Sequence, residues 1–353
     1  MKLGLSLIII LFMAAGAFSQ SGRVKPSETP APGPVLRPTV IYVPTQTTTK
    51  TPVLSAKPTP PPDDGEVVKV ASTLVPIPVS VVDASGRAVT NLSLSDFELR
   101  IDGKPAELSE LARSESPIRL AMLFDNSSSV LIAREFEKDA AIKFLRRVIR
   151  PQKDLAALYS VSTTTQLEQA FTSEISSLTR AIELFPPPEG ATALLEGIVL
   201  AAEYLREVSG RRVIVIVSDG DDTKSDVTFD DTVRALQLAN CQVYVVKTTD
   251  FENYKRTGSR RGSANTRALT AERRMGEITR HTGGSVHSPV DERELDEAFR
   301  QISAELSQQY VLSYYPDDEP DKRGQFREIT LTLKNRPNLT LRTRKGYYVP
   351  KRS

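Results

Sequence analysis

The stretch LAMLFDNSSS runs from Leu120 to Ser129 and decides the fold. Five apolar residues stand in a row, and a carboxylate, an amide and three hydroxyl groups follow them at once. An unbroken apolar run is typical of a strand that a parallel sheet buries on both faces. In open α/β sheets, the ligand lies beyond the carboxyl ends of such strands, where the strand order reverses. The stretch therefore predicts a covered parallel sheet with a ligand site at one edge.

The region 116–308 repeats this alternation of strand and helix. Further apolar runs predict buried strands at 155–161, 213–217 and 243–246. Between and after them, apolar residues recur three or four positions apart, which is the spacing of a helix face that packs on a core. The stripes that show this spacing are Phe136, Ala140, Phe144 and Val148, then Leu195, Ile198, Ala202 and Leu205, then Leu295, Phe299, Ile302 and Leu306. Alternating elements predict an α/β class, Rossmann-like fold with a doubly wound, mostly parallel sheet.

The segments on either side of this region, 66–113 and 309–353, have the pattern of β-strands. Val75–Val82 is apolar and rich in β-branched residues, and its prolines predict an edge strand or an irregular one. Ile329–Leu333 alternates apolar and polar residues, as a half-buried strand does. Neither segment has enough strands to be stable alone. We therefore predict that the two segments pack together into one small β-domain.

The N-terminal part of the chain predicts export. Residues 1–19 carry Lys2, then an apolar run, and end in the small-x-small pattern Ala17-Phe18-Ser19, which is typical of a secretory signal cleaved after Ser19. The apolar run is shorter than the roughly 20 residues that span a bilayer, so we expect no transmembrane span in the mature chain. An uncleaved anchor is the alternative. Residues 20–65 are rich in Pro and Thr and predict a disordered spacer. The protein is expected to be secreted or periplasmic.

Composition excludes some classes of partner and of stabilisation. The chain has 46 Lys and Arg against 44 Asp and Glu, so its charge gives no case for a nucleic-acid partner. The single cysteine, Cys241, allows no intramolecular disulfide. It stands at the start of an apolar run, where a thiol is typically buried. A hydrophobic core must therefore provide the stability of the fold.

Three polar motifs interrupt the predicted elements where a ligand site is expected. Asp125-Asn126-Ser127-Ser128-Ser129 and Ser218-Asp219-Gly220 each follow a buried strand, and Gly190-Ala191-Thr192-Ala193 precedes a helix. The oxygen-bearing candidates in them are Asp125, Ser127, Ser129, Thr192 and Asp219. Carboxylate and hydroxyl oxygens suit Mg²⁺, Mn²⁺ or Ca²⁺ better than zinc or copper. A site with few protein ligands fits Mg²⁺, which keeps several waters, and those waters leave room for a partner's carboxylate.

In this order the motifs resemble the metal-ion-dependent adhesion site of von Willebrand factor A domains. The family pattern is Asp-x-Ser-x-Ser, then a lone Thr, then an Asp usually followed by Gly, and all five positions are met. Ser128 stands where the family usually has Gly. The resemblance implies a module that is not an enzyme and that binds an Asp or Glu of a protein partner through the metal. The β segments and the ending Arg344–Tyr348 also resemble secreted von Willebrand A-related proteins of acidobacteria.

Two other functions remain open at this point. The protein could be a structural protein of the cell envelope, in which the metal only stabilises the fold. It could also be a metal-dependent hydrolase, although the chain has no Gly-x-Ser-x-Gly, no phosphate-binding loop ending in Lys and no His-Glu-x-x-His. A hydrolase would need a general base that no motif identifies.

Two charged stretches have alternative interpretations as well. Asp221, Asp222 and Asp226 predict a solvated turn, and a second cation there is conceivable. Residues 255–274 are rich in Lys and Arg. They predict a basic loop that leads into a helix, with an acidic partner or anionic lipid as the alternative.

Overall fold

The computed structural model describes residues 74–113, 115–128, 134–260, 266–316 and 322–349. These residues belong to one compact unit. The predicted signal at 1–19, the predicted spacer at 20–65 and residues 66–73 lie outside the described residues. Within the described ranges, every helix is too short or too polar to cross a membrane.

The strands, in chain order, are β1 (Val75–Val82), β2 (Phe97–Ile101), β3 (Lys104–Ala106), β4 (Glu110–Arg113), β5 (Ile118–Asp125), β6 (Leu155–Val161), β7 (Thr165–Thr172), β8 (Arg211–Ser218), β9 (Gln242–Lys247), β10 (Val286–His287), β11 (Tyr310–Tyr314), β12 (Phe326–Leu333), β13 (Thr340–Thr343) and β14 (Gly346–Tyr348). The α-helices are α1 (Arg134–Val148), α2 (Ile175–Glu183), α3 (Leu194–Arg206), α4 (Phe229–Leu238), α5 (Thr249–Thr257), α6 (Thr266–Thr282) and α7 (Glu292–Gln308).

The central sheet has the strand order β10-β9-β8-β5-β6-β7. Strands β10 to β6 run parallel to their neighbours, and β7 runs antiparallel to β6. The chain passes from β5 to β6 on one side and later reaches β8 on the other side, so the winding reverses at β5. The prediction of a doubly wound, mostly parallel sheet is confirmed. The sequence pattern did not reveal β7, because this edge strand is largely polar and contains no apolar run.

Helices cover both faces of the central sheet. On one face α1, α2 and α7 bury a core that includes Phe144 and Phe299. On the other face α3, α4 and α6 bury a second core that includes Ile198 and Met275. Burying one large apolar side chain contributes roughly 1.5–3 kcal/mol. The two cores therefore supply most of the favourable free energy of this domain.

One residue of the predicted helix stripes is not buried. Phe136 is 38% exposed, so the stripe prediction is wrong at this position. There the first turn of α1 meets α5, and the ring of Phe136 packs edge-on against Phe251 with 5.9 Å between the centroids. Lys255 Nζ lies 3.8 Å from the centroid of the Phe136 ring. The spacing of the apolar residues predicted the correct face of α1, but α5 covers the first turn of this helix only in part.

The remaining strands form a β-domain of two four-stranded sheets, with the orders β13-β1-β11-β4 and β14-β12-β2-β3. Each sheet combines strands from both ends of the chain. In the second sheet, for example, Leu99 of β2 lies opposite Leu331 of β12. The inner faces share one apolar core, to which Ile77, Phe97 and Leu312 belong. The prediction that segments 66–113 and 309–353 pack together is confirmed for their described residues.

Strand β1 has a partner strand on both sides only over its second half, and its prolines, which predicted an edge strand or an irregular one, lie in the other half. It lies between β13 and β11 in its sheet. Its partner β11 pairs along Val75–Val79, whereas β13 pairs only along Val79–Val82. Pro76 and Pro78 therefore lie in the half of β1 that has no strand on its second side. On that side, two side chains donate the hydrogen bonds that a neighbouring strand would otherwise provide. Arg344 Nη2 donates to the carbonyl of Pro76 at 2.7 Å, and Thr343 Oγ1 donates to the carbonyl of Pro78 at 2.8 Å.

The β-domain packs against the amino-terminal end of the central sheet. The side-chain amide of Gln309 donates to Ser80 Oγ of β1 and to Gln242 Oε1 of β9, both at 3.0 Å. Gly283 follows α6 with a φ of +81°, and a Cβ atom at this position would lie 2.6 Å from the backbone of Thr343. Glycine permits both the left-handed backbone and this close approach. The β-domain thus lies at the end of the sheet opposite the carboxyl ends of β5 and β8.

We expect Leu312→Ala to lower the free energy of unfolding by about 2–5 kcal/mol, because it opens a cavity at a fully buried position of the β-domain core. Urea denaturation would measure the change. Leu184→Ala is the matched control, because Leu184 is 70% exposed and its loss should cost less than about 0.5 kcal/mol. Equal effects of the two substitutions would contradict the assigned core.

Candidate metal centre

The carboxyl ends of β5 and β8 bring two of the predicted ligands together. Asp125 is the last residue of β5, and Asp219 directly follows β8. The two strands are parallel neighbours in which Phe124 lies opposite Val217, so both carboxylates are at the same edge of the sheet. Asp125 is buried and Asp219 is half-buried. This edge is the place where the winding of the sheet reverses, as the sequence predicted.

The loop after β5 is held by backbone hydrogen bonds on two sides. Asn126 N donates to the carbonyl of Val161 at 2.7 Å, and the carbonyl of Asn126 accepts from Glu189 N at 2.9 Å. Ser127 is buried, and its amide donates to Asp125 Oδ1 at 2.9 Å. Ser128 is exposed. Ser129, the fifth candidate, lies outside the described residues.

Thr192 lies in the loop that leads into α3 and is buried. Its carbonyl accepts from Thr223 N at 2.9 Å and from Lys224 N at 3.0 Å, and both donors belong to the loop that follows Asp219. Two residues earlier, Gly190 has a φ of +74°, and a Cβ atom there would collide with the hydroxyl of Thr163. The segments that carry Asp125, Thr192 and Asp219 are thus in mutual contact at one edge of the sheet.

The environment of Asp125 disfavours the negative charge of its carboxylate. Burial, and next the charge of Asp219, raise the pKa of Asp125 to about 6. Ser218 Oγ donates to Asp125 Oδ2 at 2.6 Å and accepts from Gly220 N at 2.9 Å, which fixes the orientation of the carboxylate. Among the ion pairs of the described residues, none involves Asp125 or Asp219. A cation held between the two carboxylates would offset their repulsion.

Two further carboxyl groups lie near this edge, and the sequence reasoning missed both. Glu137 of α1 is buried, and its Oε1 has no hydrogen-bond partner in the described part of the chain. Glu252 of α5 accepts a hydrogen bond from Thr248 Oγ1 at 3.1 Å. Burial raises the pKa of both groups, that of Glu252 to about 8 with the charge of Asp219 as the second cause. For Glu137 a signal was present, because a residue three positions before Ala140 is on the buried face of the helix.

The donor set limits which cation would fit. Within the described ranges, no group of three or more His, Cys, Asp or Glu side chains is arranged to hold a metal ion. The ligands that the sequence predicts are instead two carboxylates together with hydroxyl groups. That set suits a hard cation such as Mg²⁺, which accepts few protein ligands and keeps several waters.

Some residues of each charged stretch form ion pairs within the fold. Asp221 forms an ion pair with Arg267 of α6. Lys255 pairs with Glu292, and Arg260 pairs with Asp291 at the start of α7. These basic residues of the stretch 255–274 are therefore neutralised within the protein and do not form a free basic surface. Residues 261–265 of this stretch lie outside the described residues.

A comparison with protein families agrees with this architecture. A family model described as von Willebrand factor type A domain matches residues 120–280. No curated protein is significantly similar in this comparison.

Similar solved structures include the PilB minor pilin from Streptococcus sanguinis, with 13% identity, a TM-score of 0.42, and coverage of 55% of this chain and 62% of that one. This chain thus spans less than two thirds of that pilin. An aerotolerance-related membrane protein from Bacteroides fragilis has 18% identity and a TM-score of 0.40, over 53% of this chain and 98% of that one. The SpRpn10 VWA domain has 14% identity and a TM-score of 0.38, over 52% and 95%.

We expect Ser218→Ala to lower the free energy of unfolding by about 1–3 kcal/mol, because a buried carboxylate oxygen and the amide of Gly220 each lose a hydrogen bond. Urea denaturation would measure the change. The control is Ser307→Ala, which removes an exposed hydroxyl from α7 and should change the value by less than about 0.5 kcal/mol. If both variants were equally stable, Ser218 would not have the role described.

We expect the stability of the metal-free protein to fall between pH 5 and pH 8, with Glu252 as one cause. Its pKa is raised from 4.5 to about 8, so its contribution is complete below pH 4.5 and is lost as the pH rises towards 8. Glu252→Gln should therefore raise the free energy of unfolding at pH 8 by about 1–3 kcal/mol, less than the full shift because solvent screens this partly exposed group.

Urea denaturation in EDTA at several pH values would test this expectation. Glu135→Gln makes the same chemical change at an exposed position of α1 and serves as the control. A pH dependence that Glu252→Gln leaves unchanged would contradict the assigned environment.

Proposed function

Since residues 120–280 form a von Willebrand factor type A domain, we propose that this protein is an extracytoplasmic module that binds a protein partner through a divalent metal ion. The residues that would hold the ion are Asp125, Ser127, Ser129, Thr192 and Asp219. An Asp or Glu side chain of the partner would complete the coordination shell. In this proposal the module binds its partner and catalyses no reaction.

One observation carries the proposal. Two carboxylates lie at the ends of adjoining parallel strands, one of them buried, and neither has an ion pair with Lys or Arg among the described residues. Burying a carboxylate without a compensating charge is costly. Such an arrangement is expected where a bound cation provides that charge.

The ligand types suit the recognition of a carboxylate. When bound, Mg²⁺ would supply an electrophilic centre with exchangeable water ligands. Asp125 and Asp219 would balance its charge, and the neutral hydroxyl groups would leave it attractive to a further anion. The hydrogen bonds of Ser218 and of the Ser127 amide hold the Asp125 carboxylate in place before an ion arrives.

The remaining parts of the chain support a location outside the cytoplasm. Residues 1–19 would be removed as a secretory signal, and the spacer 20–65 would separate the folded part from the N-terminal end. The spacer joins the β-domain, which lies at the end of the sheet remote from the candidate site.

Calorimetric titration of Mg²⁺ and Mn²⁺ into the mature protein tests the proposal. We expect the wild type to bind the ions saturably. The Asp125→Ala, Asp219→Ala double variant should lose this binding, because both carboxylates that would balance the charge of the ion are gone. Asp230→Ala is the control, since this exposed acid lies in the first turn of α4 and is not among the proposed ligands. If the wild type binds neither ion, or if Asp230→Ala loses binding as well, the proposed site is wrong.

Acetate then serves as a simple probe for the partner's carboxylate. Bound Mn²⁺ should broaden the acetate proton resonance in the wild type and much less in the double variant. Saturable Mn²⁺ binding that leaves acetate unaffected would instead favour a metal that only stabilises the fold.

A further inference from the structure

We infer that Asp222 and Thr223 are positioning residues that hold Thr192, and with it the start of α3, in the geometry that the metal site requires. This inference rests on the proposed function, because it takes Thr192 to be a ligand. The sequence suggested only a solvated turn or a second cation site for Asp222. The structure gives its side chain a different role.

Helix α3 begins without a cap of its own. Its N-cap residue is Ala193, which has no side chain that could accept a hydrogen bond. The first amide groups of a helix lack partners within the helix and require acceptors from elsewhere. Here Leu195 N donates to Asp222 Oδ1 at 3.2 Å, and Glu196 N donates to Ser225 Oγ at 3.1 Å. The helix is thus capped by a loop that follows a different strand.

The same loop holds both backbone polar groups of Thr192. Its amide donates to Thr223 Oγ1 at 3.0 Å, while its carbonyl accepts from the amides of Thr223 and Lys224. In one further contact the loop donates and the helix accepts: Asp226 N donates to Glu196 Oε1 of α3 at 3.0 Å. We call residues 222–226, together with these contacts, the α3 clasp.

The clasp links two candidate ligands that the sequence separates widely. Asp219 lies three residues before Asp222, and Thr192 lies two residues before α3. The amide and carbonyl of Thr192 together make three hydrogen bonds to the clasp, so its backbone cannot rotate without breaking them. The backbone that carries the Thr192 hydroxyl is therefore held in place before an ion binds.

The choice of cation should depend on this fixed geometry. Mg²⁺ requires near-ideal octahedral coordination, whereas the larger Ca²⁺ tolerates irregular ligand positions. Loosening the clasp should therefore weaken Mg²⁺ binding more than Ca²⁺ binding. A loss of global stability alone would not change the preference of the folded protein for one ion over the other.

Two pairs of substitutions separate positioning from charge. Asp222→Ala removes the oxygen that caps α3, whereas Asp222→Asn keeps a carbonyl oxygen there and removes only the charge. Thr223→Val removes the hydroxyl that accepts from Thr192 N, and Thr223→Ser retains it. The second pair stands in for the first if Asp222→Ala does not fold.

Calorimetric titrations of Mg²⁺ and of Ca²⁺ into the full-length mature protein and these variants test the inference, with circular dichroism used to confirm that each variant is folded. We expect Asp222→Ala and Thr223→Val to weaken Mg²⁺ binding by about 10-fold or more and to lower the Mg²⁺-to-Ca²⁺ affinity ratio. Asp222→Asn and Thr223→Ser should stay within about threefold of the wild type, because they keep the hydrogen bonds.

The outcomes distinguish the inference from the proposed function. If the wild type binds the ions and the Ala and Val variants bind them equally well, the positioning role is wrong and the metal site stands. If Asp222→Asn loses as much affinity as Asp222→Ala, the charge of Asp222 matters and its role in positioning is overturned. If the wild type binds neither ion, the proposed function fails and this inference fails with it.

Discussion

Parallel pairing of β5 with β8 brings two carboxylates to the same edge of the central sheet. Asp125 ends one strand, and Asp219 follows the other. Because the backbone hydrogen bonds of the sheet set the distance between the strands, the backbones that carry the two charges cannot move apart to relieve their repulsion. The hydrogen bonds of the surrounding loops are built around this pair of strand ends. Ser218 orients the carboxylate of Asp125, and the loop after β8 reaches across to hold Thr192.

This arrangement places an electrostatic cost on the protein without a bound ion. Asp125, Glu137 and Glu252 each have a raised pKa, chiefly because burial disfavours their charged forms. The two apolar cores on the faces of the sheet must offset this cost. A site whose ligands repel one another is expected to gain stability when a cation binds, because an ion that binds only the native state shifts the folding equilibrium.

The β-domain contributes at the other end of the molecule. Its sheets combine strands from before and after the α/β domain, so both ends of the α/β domain connect to the same β-domain. Gln309 connects β1 with β9 at this junction. The cost of bringing distant segments together is met by a shared core that includes Ile77, Phe97 and Leu312. Neither segment could bury these side chains alone.

The sequence by itself determined the features that depend on local pattern. Apolar runs predicted the parallel strands, the helical spacing of Leu295, Phe299 and Ile302 predicted a buried face, and polar residues after two strands indicated the edge that carries the candidate site. Such features follow from the chain's own periodicity, because side chains alternate or recur at fixed intervals in each element. The order of the motifs then indicated the family.

Only the tertiary structure decided the features that depend on which elements become neighbours. The prolines of β1 are accommodated inside a sheet because β13 pairs with the other half of the strand. Glu137 and Glu252 approach the site from two different helices, and Asp222 caps a helix that begins 28 residues earlier in the chain than Asp222 itself. No local pattern encodes these contacts, because they join residues far apart in sequence that come together only when α1, α3 and α5 pack around the ends of β5 and β8.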